Sequence, residues 1–378
     1  MGQVRAGGAM EGLPPQAVDG IRQRLDDPTA VARLDPYGML RLIESLPDQI
    51  RPGYEAGLQA CPPAPPGGYS AVVVAGMGGS AIGGDLLKAL AAEMARVPVE
   101  VVRDYRLPAY VGPRTLAVIS SYSGNTEETL AAQEQAARLG APMVALTSGG
   151  RLGDRAGREG WPVARIPSGL PPRAALGYSL FAAVGILQAA GILPDMSATV
   201  EASVRALRAV GARAGMRQGW RTNPAKQEAL QLVDAVPILY GSSGVGAAVA
   251  YRWKCQFNEN SKHPAYWTHL PELDHNEVVG WEAPPPSAAR MVRVLLLRVG
   301  DESPRMATRF EATRRIVEGR VGSLAEFSGE GEDHLSRALA LLHLGDYVSF
   351  YLAIAKGVDP TPVRFIDRLK AELATMRG

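Results

Sequence analysis

The chain has 378 residues, 46% hydrophobic and 21% charged, with a formal net charge of +2. That length suits roughly two domains of about 150 residues each, and a near-neutral chain without a lysine/arginine run argues against nucleic acid as a partner. Its two cysteines, Cys61 and Cys255, lie far apart and outside any Cys-x-x-Cys or metal-ligand cluster, so a reducing compartment is the simplest expectation.

Residues 1–10 lack the continuous apolar stretch of a signal peptide, and no later segment offers about 18 uninterrupted apolar residues, so a cytoplasmic protein outside the membrane is expected. Residues 1–59 read as an amphipathic helical preface, with Leu40, Leu42, Ile43 and Leu46 grouped before the proline- and glycine-rich breaker at 61–68. Apolar runs of strand length follow at 71–75, 99–102, 116–120 and 142–146, separated by helix-length segments at 82–96 and 127–139. Such alternation predicts a parallel sheet covered on both faces.

After Pro171 and Pro172 one long helix is predicted over 173–191, and a second over 197–215. Alternation resumes with a strand at 236–240, a helix after Gly246, a strand at 292–297 and a short strand near 321–327. Helices at 334–356 and 361–376 close the chain, parted by Gly357 and Pro360. The fold class is therefore α/β: two doubly wound, flavodoxin-like halves with helical N- and C-terminal segments. Boundaries are expected at 1–66 (helical segment and linker), 67–192 (first α/β domain), 193–222 (helical connector) and 223–378 (second α/β domain). The two halves look like copies where strand 71–75 enters Gly76–Ser80 and strand 236–240 enters Gly241–Val245, although any α/β unit uses glycine there.

Two loops in the first half suit an anion. Gly76-Met77-Gly78-Gly79-Ser80-Ala81 follows a buried strand and opens a helix, so amides near Gly79 and Ser80 can face a phosphate at the positive end of the helix dipole. The same string satisfies Gly-x-Gly-x-x-Ala, and with Asp104 near the end of the next strand it keeps a nicotinamide-dependent oxidoreductase open. The loop from Ser120 to Thr126 also joins a buried strand to a helix. It offers the hydroxyls of Ser121, Ser123 and Thr126 around Gly124, and together these suit a phosphate monoester. Helix capping accounts for Thr126 but leaves Ser121 and Ser123 unexplained.

The strings Gly76-Met77-Gly78-Gly79-Ser80-Ala81-Ile82-Gly83-Gly84-Asp85, Ser121-Tyr122-Ser123-Gly124-Asn125-Thr126-Glu127-Glu128-Thr129, Pro171-Pro172-Arg173, Asn258-Glu259-Asn260 and His275-Asn276-Glu277 resemble the bifunctional phosphoglucose/phosphomannose isomerases of the sugar isomerase (SIS) superfamily. The resemblance runs from about residue 35 to the end. It implies an aldose-ketose isomerase that interconverts glucose 6-phosphate, and mannose 6-phosphate, with fructose 6-phosphate through a cis-enediol. In that family Glu259 corresponds to the base, Arg173 to the cation beside the enediolate, and Lys370 to a lysine that participates in ring opening. His275 corresponds to a histidine that assists ring opening from the neighbouring subunit, which implies a homodimer. Each has a plainer reading as a surface or helix-end side chain, Lys370 above all. His263 and His269 fall outside the matching motif and are expected to be non-catalytic. No constellation of histidines and carboxylates with metal-ligand spacing stands out, so a reaction without metal or cofactor is expected. A non-catalytic sugar-phosphate-binding regulator would keep the hydroxyl loop and need no base.

Overall fold

Short runs of β-branched residues bounded by glycine and proline become the strands of two parallel sheets in the computed structural model, which describes residues 14–300 and 302–375. The start of the expected helical preface and the final residue of the helix expected at 361–376 lie outside the described residues.

The chain opens with four helices, α1 (Pro15–Asp26), α2 (Pro28–Leu34), α3 (Met39–Glu44) and α4 (Leu46–Gln59). The first half then runs β1 (Ala71–Ala75), α5 (Gly78–Met94), β2 (Val99–Val102), β3 (Thr115–Ser120), α6 (Glu127–Arg138), β4 (Met143–Thr147), α7 (Gly150–Glu159) and β5 (Val163–Arg165). A 3₁₀ turn at Pro172–Ala174 leads into α8 (Leu176–Ala189), then α9 (Ser197–Ala214) and α10 (Pro224–Leu232). The second half comprises β6 (Val236–Ser242), α11 (Val245–Glu259), β7 (Tyr266–Leu270), 3₁₀ turns at Glu272–His275 and Glu277–Trp281, α12 (Pro286–Met291), β8 (Val292–Arg298), α13 (Pro304–Val317) and β9 (Ser323–Ser328). Helices α14 (His334–Lys356) and α15 (Arg364–Thr375) end it.

The first sheet has the order β2-β1-β3-β4-β5 and the second β7-β6-β8-β9, all pairs parallel. Both therefore reverse direction between their first and third strands in chain order, the flavodoxin-like arrangement that opens a crevice at that switch point. Strand periodicity sorts the side chains: Val72 and Val74 face one core with α4, α5, α8, α11 and α14, while Val73 and Ala75 face a second core under α6 and α7. The first of these cores also takes Leu295 and Leu297 of β8, so one continuous apolar interior joins the two halves. Helix α14 is apolar enough by composition to cross a membrane, but 94% of its most apolar window is buried inside the protein and serves as that interior's central element.

Two strands escape the sequence pattern. β5 is three residues long, and β7, Tyr-Trp-Thr-His-Leu, is an edge strand with Tyr266 and Trp267 exposed, so neither shows an apolar run. The single helix expected over 173–191 is also corrected. Gln49 of α4 donates to the Ala174 carbonyl (2.8 Å) and Arg252 of α11 to the Arg173 carbonyl (2.6 Å). These carbonyls are thereby taken from a continuous helix, and Arg173 stands on its own 3₁₀ turn.

Helices α4 and α8 cross so closely that a methyl group on Gly57 would overlap the Ala182 carbonyl. The overlap is with rigid backbone, so Gly57→Ala is expected to destabilise the fold by about 3 kcal/mol, read as a lower thermal midpoint. An unchanged midpoint would show that this crossing relaxes freely. The helical preface is thus built into the core, directly beneath the Arg173 turn.

Candidate active site

The cleft begins at the switch point of the first sheet, where the loops after β1 and β3 lie side by side. A Cβ on Gly76 would fall 2.7 Å from the Ser120 carbonyl oxygen, and the Ser80 hydroxyl accepts a hydrogen bond from the Tyr122 amide (3.2 Å). Gly124 has φ 68° and its Cα faces the Gly149 carbonyl with no room for a side chain, so glycine is required at this bend. The Tyr122 hydroxyl donates to the Pro167 carbonyl (2.9 Å) and accepts from the Leu170 amide (2.8 Å), tying the hydroxyl loop to the segment that leads to Arg173. Sequence reasoning does not single out Tyr122, because its partners lie more than 40 residues away.

Thr126 occupies the N-cap position of α6, yet its side chain makes no capping hydrogen bond. Its hydroxyl instead accepts from Ser121 (3.0 Å), which is buried. Capping therefore does not account for Thr126. The first amides of α6 are left without a side-chain acceptor, as are those of α5, whose N-cap is Met77. Two helix N-termini with unspent N–H donors thus converge on the crevice, an arrangement suited to an anion. Ser80 and Ser121 are buried and shape the loops, whereas Ser123 is exposed and Thr126 half-buried, so these two hydroxyls are open to a ligand.

From this crevice the chain contacts lead to a cation and a carboxylate. A Cβ on Gly79 would lie 2.8 Å from the Pro172 carbonyl, so the first helix turn of α5 rests directly on the turn carrying Arg173. Arg173 is 4% exposed. Its Nε donates to Asn260 Oδ1 (2.7 Å), and its Nη2 donates to the carbonyls of Pro360 (2.9 Å) and Thr361 (2.7 Å). Among the described residues Nη1 has Glu259 as its partner, with Oε2 3.6 Å away. Burial pulls the guanidinium below its ordinary pKa and Glu259 opposes that shift; an arginine so placed still keeps its charge.

Glu259 is the last residue of α11 and its side chain is 30% exposed. It lines an open cavity of about 810 Å³ with Asn258, Lys262, His263, Asp359 and Arg364. Behind it a buried network holds the helix end. Arg252 pairs with Asp346 (3.1 Å), Gln256 donates to the same carboxylate (2.7 Å), and Asn260 donates to Ser349 (3.0 Å). Burial pushes the Asp346 carboxyl up, but Arg252, His343 and Gln256 outweigh it and hold it below its usual value.

His275 and Lys370 do not join this group within one chain. His275 is exposed on the 3₁₀ turn Glu272–His275, which is pinned on both sides. Asp274 accepts from Arg309 (2.8 Å) and Thr313 (2.9 Å) of α13, and Glu277 accepts from the Tyr240 hydroxyl (2.8 Å). Lys370 is exposed on α15, whose Phe365, Ile366, Leu369 and Leu373 are exposed too. His263 lines the cavity, but its Nε2 meets the Ala235 carbonyl (2.7 Å) and its Nδ1 the Lys356 ammonium (3.0 Å), so neither ring nitrogen is free. Asp104, the acid of the nicotinamide reading, is exposed and accepts from the Tyr105 amide (2.6 Å).

The family described as "SIS domain" matches residues 70–152, and the "Bacterial phospho-glucose isomerase C-terminal SIS domain" matches residues 221–373. The bifunctional phosphoglucose/phosphomannose isomerase of Caldicellulosiruptor bescii is 40% identical over 339 residues, spanning 90% of this chain and 100% of the relative. The protein of the same name from Aquifex aeolicus is 38% identical over 81% of this chain and 91% of its own length. The crystal structure of a hypothetical protein from Thermus thermophilus superposes with a TM-score of 0.68 over 96% of this chain and 95% of the other, at 17% identity, a likeness of fold alone. With two parallel-sheet halves in place and near-full-length relatives at this identity, the chain belongs to the bifunctional phosphoglucose/phosphomannose isomerase family.

Proposed function

We propose that this isomerase interconverts glucose 6-phosphate and mannose 6-phosphate with fructose 6-phosphate by a single-base proton transfer, with Glu259 as the base. The observation that carries the reading is the pairing of Glu259 with the one guanidinium nitrogen of Arg173 that has no other acceptor among the described residues.

The substrate's phosphate binds at the crevice between β1 and β3, on the open hydroxyls of Ser123 and Thr126 and the amides that begin α5 and α6, with Gly79, Ser80 and Ser121 shaping the pocket. Glu259 removes the C2 proton of the open-chain aldose as the C1 carbonyl becomes an enediolate oxygen. The O2 hydroxyl proton passes to the C1 oxygen, and returning the carbon-bound proton to C1 re-forms a carbonyl at C2. Charge that develops on the oxygens lies beside Arg173 Nη1, a donor already desolvated and held in place. The two aldose epimers differ only at C2, the carbon that becomes planar, so one enediol serves both.

Ring opening needs a proton donor and acceptor, and for this we assign His275 of a second copy, with Lys370. A histidine suits proton transfer near neutral pH, and the rigid, outward-facing turn that carries it suits delivery to a neighbour. The working form is then a homodimer. Cys61 and Cys255 are free thiols, in keeping with a cytoplasmic enzyme, and the reaction we describe uses no metal or cofactor. Purified dimer treated with a chelator is expected to equilibrate the three sugar phosphates, followed by NMR. A folded dimer inert toward all three refutes the assignment.

A further inference from the structure

Lys262 has φ 50°, the one left-handed residue other than glycine among the described residues. Such a conformation is unfavourable for a side chain bearing a Cβ, and it persists only where the surroundings hold it. It lies three residues beyond Glu259, on the wall of the same cavity. Its ammonium turns inward onto three carbonyls, those of Glu259 (2.7 Å), Asn260 (3.3 Å) and Pro360 (3.0 Å). An ammonium has three N–H donors, and all three are thereby engaged.

The Pro360 carbonyl also accepts from Arg173 Nη2. A closed ring of contacts results: from the Glu259 main chain to Lys262, on to Pro360, back through the Arg173 guanidinium, and from its Nη1 to the Glu259 carboxylate. The two functional groups are held to one another by their side chains on one side of this ring and by Lys262 on the other. Closing the ring brings a second cation next to Arg173, an unfavourable juxtaposition that a cap for the end of α11 does not require, since Lys356 already donates to the next carbonyls, of Ser261 (3.1 Å) and Lys262 (3.3 Å).

We infer that Lys262 is a positioning residue of the isomerase site, fixing Glu259 and Arg173 in the relative placement that proton transfer requires. The inference rests on Glu259 being the base. The groups facing the ammonium are Arg173 from the 3₁₀ turn, Glu259 from the end of α11, and Asp359 and Arg364 from the segment entering α15; Lys356, at the end of α14, bonds the Lys262 carbonyl and the His263 ring instead. Partial burial first, and then Arg173, lower the Lys262 pKa to about 8, with Asp359 and Glu259 opposing. Deprotonation leaves two N–H donors for three carbonyls, so one of the three contacts is lost and the hold on the ring weakens; turnover should fall as pH rises through about 8.

The test compares Lys262→Met and Lys262→Arg with the parent, scoring thermal midpoint, kcat, KM and pH profile, with Glu259→Gln measured alongside. Lys262→Met is expected to lower kcat about ten- to a hundredfold, with KM for fructose 6-phosphate within about threefold because the phosphate loop is untouched. Lys262→Arg keeps its charge at every pH used, so it should recover much of kcat and lose the alkaline decline near pH 8. A folded Lys262→Met with parental kcat overturns the inference. So does a Lys262→Arg enzyme that keeps the parental alkaline limb, and this second result decides the matter if Lys262→Met does not fold. Full turnover by Glu259→Gln instead defeats the base assignment itself, so the two failures are distinguishable.

Discussion

Glu259→Gln is expected to lower kcat at least about a thousandfold, equivalent to about 4 kcal/mol of lost transition-state stabilisation. The substitution keeps the shape of the side chain and removes its basicity, while the groups that hold it, Arg173 and the buried network around Asp346, stay in place. Binding of fructose 6-phosphate, measured by calorimetry, should persist, because the proposed phosphate site, on the β1 and β3 loops, is left untouched. Loss of turnover with binding intact is the signature of a group that acts only in the chemical step. It also separates an enzyme from a sugar-phosphate-binding regulator, in which Glu259 would have no such effect. A kcat within about tenfold of the parent defeats the base assignment, since general bases contribute more than that.

Mixed dimers provide the second large effect. Glu259→Gln and His275→Ala are each expected to be nearly inactive, yet refolding or co-expressing them together should restore about a quarter of parental activity. The symmetry of a two-fold dimer dictates that fraction. Random mixing makes half of the dimers mixed, and in each mixed dimer one site receives Glu259 from one chain and His275 from the other, while the second site loses both. If His275 acts within its own chain, no site regains both groups and activity stays at the level of the separate variants. The geometry motivates the experiment: His275 shares no hydrogen bond or ion pair with Glu259 or Arg173 among the described residues. Its turn is nevertheless anchored through Asp274 and Glu277 rather than left loose.

Much of the first half is readable from local pattern. The runs at 71–75 and 99–102 coincide with β1 and β2: β1 lies inside the sheet, buried at every position, and must be apolar throughout, while edge strand β2 keeps its valines and carries one charged, half-exposed residue, Glu100. Glycine-rich turns after β1 and β3 announce two helix N-termini, and a parallel sheet places such turns along one edge. Helix α14 is likewise evident from end to end, since Asp333 and Ser336 form a reciprocal cap at its start and Gly357, with φ 70°, stops it. Glu259 falls at the end of α11 as a matter of spacing from Gly244.

The interactions that make a site of these pieces are not local, and pattern is silent about them. The likeness between the turns after β1 and β6 is real as topology, but the second turn is no part of the cleft: α11 has 15 residues, about 22 Å at 1.5 Å per residue, and Glu259 lies at its opposite end. Whether Thr126 caps its helix or accepts from Ser121 depends on loop packing, not on residue type. Arg173 leaves the expected helix because side chains from α4 and α11 claim its carbonyl and that of Ala174. Lys262 has no motif at all, since its role arises from a backbone bend and from carbonyls, and every residue has a carbonyl to offer. Short-range apolar periodicity and turn chemistry are written along the chain and specify its strands, helices and anion-binding loops. The meeting of the start of α5, the Arg173 turn, the end of α11 and residues 359–361 comes from packing two halves around one apolar interior, and that packing sets which donors are spent and which remain for the substrate.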